Sequence, residues 1–426
     1  MTLTTTTSSF PEANPFHDLT PALVDAVRQF DAAANTDQET AVRDSIVNAA
    51  QAIIDAARPP QPQWMNQSAA CAEFVALRLF IEWGAFEAIP LEGNISYEAL
   101  AEKIDADMQL VRRFAWIMVS TGLLIQVGTD DVAHTDKSRQ ITQTVPLRAM
   151  WQLMFNNSFM GSAIMPRYFA ANGRREPRGP TNVPYTVAHL NPDKTFWEVL
   201  NADPYQMRVF MEAMTAVGKD VPLMGPITGL YDLSRLAAPA AASDPARTLL
   251  VDVGGGKGHA ITALCSAPGS PLTTDRCVLQ DVPPVIAAVS ADTTTTSAAL
   301  AGTTLQAIDF HKEQPVRGAL VYYIRHCLHN YGDPEVIGIL RHTAAAMADD
   351  SVLLVAEYVM SNPPSKFAVW MDFIMCMSGG KERTRAMWQH VAAEAGLEIA
   401  TYHGLDRSPD GHAVIEFVKR RQETAA

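Results

Sequence analysis

The chain has 426 residues, 48% of them hydrophobic and 19% charged, which is enough apolar material for two or three folded domains. A net charge of −13 with no run of Lys or Arg argues against nucleic acid and against an anionic membrane surface as partners. Five scattered cysteines (Cys71, Cys265, Cys277, Cys327, Cys376), without a C-x-x-C pair, fit a reducing compartment and predict no metal site.

Residues 1–15 are rich in Thr, Ser and Pro and read as a disordered tail. They lack the basic and apolar regions of a secretory signal, and no apolar stretch is long enough to span a bilayer, so a cytoplasmic location is expected. Helical patterns follow over 18–58, then the punctuating segment PPQPQ at 59–63. The segment 71–90 is apolar on most sides and reads as a buried helix. Ser96 is placed to cap SYEALAEKI, and 107–124 reads as a third helix closed by Gly122. LIQVGTDDVAHTD then reads as a two-stranded ribbon turning near Gly128–Asp131.

Three helices and a ribbon predict a winged helix within 16–145. DNA binding is one use of such a unit. The third helix, however, carries only Arg112 and Arg113, too little charge to neutralise several phosphates. A packing or dimerisation role fits better, with a homodimer expected. Residues 146–235 are helical and rich in Met, Phe and Trp, with Asn156 and Asn157 interspersed. Such residues at helical spacing form either core or a wall for a small-molecule substrate. LAAPAAASDPA (236–246) reads as a low-complexity connector, and SADTTTTSAAL (290–300) as a surface loop.

From 236 to 426 strands and helices alternate, predicting a doubly wound α/β sheet that ends in a β-hairpin. Its first strand runs into Leu249–Gly258, LLVDVGGGKG. An apolar strand here ends in acidic Asp252, and Gly254, Gly255 and Gly256 follow at a turn where backbone approaches a ligand closely. The turn feeds a helix N-terminus, which favours anionic groups.

Ligands of open α/β sheets bind beyond the carboxyl ends of the strands. Besides Asp252 and the glycines, those ends carry Asp281, Asp309–Phe310 and Arg325 through His329. Asp281 suits the two ribose hydroxyls of an adenosine, or else caps the helix PPVIAAV. Asp309 and Phe310 suit an adenine, as acceptor and stacking face; the alternative for Asp309 is a turn residue. His326, three residues before His329, is expected to point away from it by strand alternation and to be structural.

The glycine loop, the strand order and these carboxylates resemble S-adenosyl-L-methionine-dependent methyltransferases. RHCLHNYGD (325–333) and SVLLVAEYVM (351–360) resemble the caffeic-acid-type O-methyltransferases of plants and fungi. So does DFIMCMSGGKERTRAMWQHVAAEAGL (372–397), in which SGGKERT is highly specific. The resemblance covers about residues 60–420 and implies a C-terminal Rossmann-like domain over 236–426, with a helical winged-helix dimerisation domain before it. It implies S-adenosyl-L-methionine at Asp252, Gly254, Gly255, Gly256, Asp281, Asp309, Phe310 and Arg325. It also implies that His329 is a general base flanked by Glu357 and Glu382. Asn330 and Tyr331 depart from the family's Asp and Trp, and the lost carboxylate leaves less support for an imidazolium at His329.

The resemblance supports two activities. One is methyl transfer to a phenol or enol hydroxyl of a secondary metabolite. The other is that of fungal pericyclases related to these methyltransferases, which hold the same cosubstrate without transferring its methyl. In those relatives a basic residue at the place of Arg325, and sometimes a histidine at that of His134, polarises a polyketide-derived substrate. Otherwise His134 is a strand-end residue of the winged unit. A non-catalytic dimeric scaffold is a third reading, disfavoured by the intact His329, Glu357 and Glu382.

Overall fold

A computed structural model describes residues 16–33, 39–57, 63–219, 229–291, 298–408 and 410–420. The readings of 1–15, of 59–62 and of 292–297 fall outside these residues. The chain forms two compact units, Met1–Leu77 with Gln109–Gly122, and Arg78–Met108 with Leu123–Ala426. The sequence boundaries at 145 and 235 both fall inside the second unit.

In the first unit the helices Phe16–Ala33 and Glu39–Ala57 pack on each other, with Arg43 over the Phe30 ring at 4.7 Å. The rest comes from the first part of the helix Gln63–Glu82 and from the helix Met108–Ser120, which matches the predicted third helix. Trp64 and Trp116 are 66% and 50% exposed, so this unit keeps large apolar side chains on its surface.

The second unit holds two sheets. The smaller is antiparallel, in the order β1 (Ile95–Ser96), β3 (Asp131–His134), β2 (Leu124–Val127). It contains the expected ribbon plus a third short strand. Ser96 caps the helix Tyr97–Lys103 as its sequence suggests, its Oγ accepting from Ala99 N at 3.1 Å. The helical middle runs through Val145–Leu153, a π-helical turn Met154–Phe159 and Met160–Asn172. Much of its Met and aromatic content is core. Met150, Met154, Tyr205 and Phe210 pack around Ala149, Leu153, Val209 and Ala213. Asn156 is buried as a tie: its amide donates to Gln206 Oε1 at 2.7 Å and its Oδ1 accepts from Arg78 Nε at 3.4 Å.

The larger sheet has eight strands among the described residues. They are β4 (Leu250–Val253), β5 (Cys277–Asp281), β6 (Thr304–Ala307), β7 (Val321–Arg325), β8 (Val352–Met360), β9 (Arg383–Thr384), β10 (Leu397–His403) and β11 (His412–Lys419). Their order is β10-β11-β8-β7-β4-β5-β6, with β9 paired to β8. β4 to β8 run parallel, and β10 and β11 form the predicted antiparallel closing hairpin. Alternation along the strands builds two cores. Val251, Val253, Tyr322 and Ile324 meet the helices Asp333–Ala346 and Arg385–Glu394 on one face. Leu250, Leu279, Val321 and Tyr323 meet the helix His259–Ser266 on the other.

The connector expected at 236–246 is in fact a helix over Ala237–Ala242. Alanine is the best helix former, and Pro239 sits in the first turn, where its missing N–H costs nothing. No described helix is long and apolar enough to cross a membrane.

Candidate active site

The strand order reverses between β4 and β7, so the crevice of this sheet opens beyond Val253 and Arg325. Gly254 and Gly256 adopt φ +71° and +57°, the left-handed region that suits glycine. A Cβ on Gly256 would meet nothing within 4 Å, whereas at Gly255 the Asp252 carboxylate and Leu279 already occupy that space. The loop is therefore closed on the protein side and open at Gly256.

Asp281, at the end of β5, ties this loop down. Its Oδ2 accepts from Gly256 N at 2.9 Å and its Oδ1 from Val282 N at 2.7 Å, which leaves further lone pairs for a ligand. Both sequence readings of Asp281 thus have support, since the bond to Val282 lies at the start of its helix. Burial raises the Asp281 pKa, against the backbone bonds that lower it. Asp252 is buried with Oδ2 lacking a hydrogen-bond partner. Burial pushes it up to about 7, although Arg325 opposes the shift.

Asp309 is an exposed turn former: Oδ1 accepts from His311 N at 3.1 Å and Oδ2 pairs with Lys312 at 2.9 Å. Phe310 packs edge-on to Tyr331 at 5.8 Å. Behind these residues Gln280 and Gln314 exchange two amide bonds, each 2.8 Å long, fixing the segment that carries Asp309 and Phe310. Neither glutamine drew notice in the sequence, because nothing in its neighbours marks it.

At the end of β7 the chain leaves the strand sharply, with His326 at φ +47°. The N–H groups of Cys327, Leu328 and His329 then converge on Glu357 Oε1, at 3.0, 2.9 and 3.4 Å. Glu357 lies on the adjacent strand β8, whose pairing sets Arg325 opposite Ala356. It is 0% exposed, and its charge is met by backbone dipoles.

Glu382 reaches the His329 ring, its Oε1 2.8 Å from Nδ1. A Cβ on Gly380 would collide with the His329 carbonyl, so glycine is needed for this segment to lie against the turn. Lys381 N donates to that carbonyl at 2.9 Å, and Asp372 Oδ1 accepts from Glu382 N at 2.9 Å. Arg383 is fully buried and bonds Leu328 O, Tyr331 O and Asp333.

His329 Nδ1 faces two carboxylates, Glu382 at 2.8 Å and Glu357 Oε2 at 3.6 Å. Ionised carboxylates only accept, so Nδ1 carries a proton and Nε2 is the basic nitrogen. Burial opposes charging the ring, but Glu357 and Glu382 outweigh it and lift the pKa to about 9. The imidazolium is thus well supported without the family's Asp at 330. Asn330 instead donates its amide to the His326 and Cys327 carbonyls at 3.3 and 3.2 Å, which a carboxylate does not do.

His326 is not turned away from this group. Its Nδ1 lies 3.5 Å from Glu357 Oε2, its ring centroid is 5.6 Å from that of His329, and it stacks on His412 at 5.1 Å. The alternation argument fails because the strand has already ended at Arg325. His134 has a different environment. Its Nδ1 meets Ser138 Oγ at 2.9 Å and its Nε2 meets the Phe86 carbonyl at 3.0 Å, a buried brace between β3 and the short helix Ala85–Ala88. Neither nitrogen is left for a substrate.

A family profile described as O-methyltransferase domain matches residues 174–398. The methyltransferase cfoD of Aspergillus candidus is 32% identical over 367 residues, 85% of this chain and 89% of that protein. The O-methyltransferase afvC of Aspergillus flavus is 32% identical over 84% of this chain and 83% of its own. Among solved structures, OxaC in complex with SAH and oxaline has a TM-score of 0.81 at 24% identity, covering 96% of this chain and 100% of that one. LepI in complex with SAM has a TM-score of 0.76 at 24% identity, covering 95% and 100%. At that identity the two structures show a shared fold.

Proposed function

Since the chain belongs to the O-methyltransferase family, we propose that it is an S-adenosyl-L-methionine-dependent O-methyltransferase acting on a phenol or enol hydroxyl of a secondary metabolite. One observation carries this reading: His329 Nδ1 is held by Glu382 at 2.8 Å, beyond the carboxyl end of β7, leaving Nε2 as a base. A hydroxyl is a poor nucleophile until deprotonated. His329 Nε2 takes its proton while Glu382 and Glu357 hold the ring and stabilise the charge it gains. When bound, the cosubstrate supplies an electrophilic methyl group. Asp281 and the open glycine loop would hold it, with Asp252 and Arg325 lining the crevice and Asp309 and Phe310 beside the adenine.

The test is incubation with methyl-labelled cosubstrate and a panel of phenols, enols and pyridones; label should pass to a hydroxyl. A product that needs the cosubstrate but leaves its methyl in place would favour the pericyclic or dehydrative reading. That reading rests on Arg325 at the crevice, since His134 is committed elsewhere.

Cosubstrate binding is tested separately. Asp281→Ala removes a ribose acceptor and releases the Gly256 amide. Affinity measured calorimetrically is expected to fall at least tenfold, about 1.4 kcal/mol. Unchanged affinity would refute the assignment.

We also infer a homodimer formed through the helical N-terminal region, in the manner of a winged-helix dimerisation domain. Exposed Trp64, Met65 and Trp116 support it. Light scattering at micromolar concentration should give twice the chain mass, and a monomer would contradict it. All five cysteines are free thiols, and Cys265 and Cys277 share a sulfur–sulfur hydrogen bond at 3.8 Å.

A further inference from the structure

Around the base, polar atoms of Glu357 and His326 stay without a well-formed hydrogen bond. Glu357 Oε2 is buried and makes no well-formed hydrogen bond, and the same holds for both ring nitrogens of His326. Leaving such atoms without a partner is unfavourable. They converge: one ring nitrogen of His326, one of His329 and one carboxylate oxygen of Glu357 all lie within 4.8 Å of one another.

We propose that these three side chains form a site for a divalent cation of the zinc type, and that its occupation switches the base off. A tetrahedral zinc with bonds of about 2.0–2.1 Å sets its ligands about 3.3–3.4 Å apart. Glu357 Oε2 is 3.5 Å from His326 Nδ1 and 3.6 Å from His329 Nδ1, so two edges of that tetrahedron nearly exist. The donor set, two imidazoles and a carboxylate, suits zinc or cobalt(II) rather than the hard cations, which take oxygen alone. The stack on His412, nearly coplanar at 15°, restrains the His326 ring. Glu382 falls outside this group, so a fourth position is left to water. Cysteine spacing, on which the expectation of no metal site rested, says nothing about such a set.

Ligation has a definite consequence. The cation takes the Nδ1 lone pair, so the proton now on Nδ1 moves to Nε2. A ring with its proton on Nε2 cannot accept another from a hydroxyl. Binding does not depend on the reading of His329 as the base, whereas the loss of activity rests on it.

Full-length protein freed of metal by a chelator is titrated with Co²⁺, read by visible absorption, and with Zn²⁺, read by calorimetry. One cation per chain is expected, bound at least tenfold more weakly by His326→Ala. Zn²⁺ should suppress methyl transfer by the wild type. Glu357→Gln should abolish binding too; because it also removes the acceptor of three backbone bonds, His326→Ala with an unchanged circular dichroism spectrum is the deciding variant. No saturable binding below millimolar cation, or binding unaffected by His326→Ala, overturns the site. Cation binding by a metal-free chain that transfers no methyl supports the site and sinks the functional reading instead.

Discussion

His329→Ala is expected to lower kcat by about 10²–10⁴ while leaving cosubstrate affinity nearly intact, because the imidazole takes the hydroxyl proton. The pH profile identifies the group. The base works unprotonated, and in the free chain burial lowers its pKa less than Glu357 and Glu382 raise it, to about 9. The value of kcat/KM should therefore climb with pH until about 9, well above the ordinary histidine range. Glu382→Gln removes one of the two anions, so its rising limb should move to lower pH. Full activity in His329→Ala with label still transferred, or a limb that stays in place in Glu382→Gln, would defeat the base assignment.

Much of this arrangement is legible in the sequence because it rests on short-range patterns. The two cores follow from alternation in strands such as LLVDV and ALVYYIR, and the glycine loop from three glycines after Asp252. His329 and Glu382 come from motifs 53 residues apart, yet the structure brings them to 2.8 Å. What the sequence does not disclose depends on where a strand stops or on what lies across the fold. Strand alternation would set His326 opposite His329, but the strand ends at Arg325 and the left-handed turn brings both rings to Glu357. Asn330 looked like a lost carboxylate, yet its amide donates to two carbonyls of the turn. Gly380 shows no positive φ; its place is explained only by the His329 carbonyl where its Cβ would lie. Asn156 sits in a segment whose composition suits either core or a substrate wall, and only its bonds to Gln206 and Arg78 decide for a structural tie.

Arg383 extends the argument from the base to the turn that carries it. Its guanidinium is 0% exposed and reaches Leu328 O at 3.2 Å, Tyr331 O at 2.8 Å and Asp333 Oδ1 at 2.9 Å. Two of these acceptors belong to the segment around His329. Arg383→Met keeps the bulk and the packing over Trp388 but removes every donor. Breaking a buried ion pair from one side costs about 3–5 kcal/mol. Asp333 also has Lys381 at 3.0 Å and some solvent, which places the expected loss at the lower end, about 3 kcal/mol by urea unfolding. Arg383→Lys keeps the charge, but a single ammonium cannot reproduce the planar fork that serves four acceptors, Lys381 O at 3.3 Å among them, so its loss should be intermediate. Because the freed carbonyls flank the base, kcat of the folded variant should fall while cosubstrate affinity stays within about twofold. A loss of stability under about 1 kcal/mol would mean that water or a shifted donor replaces the guanidinium and that Glu357 alone holds the turn.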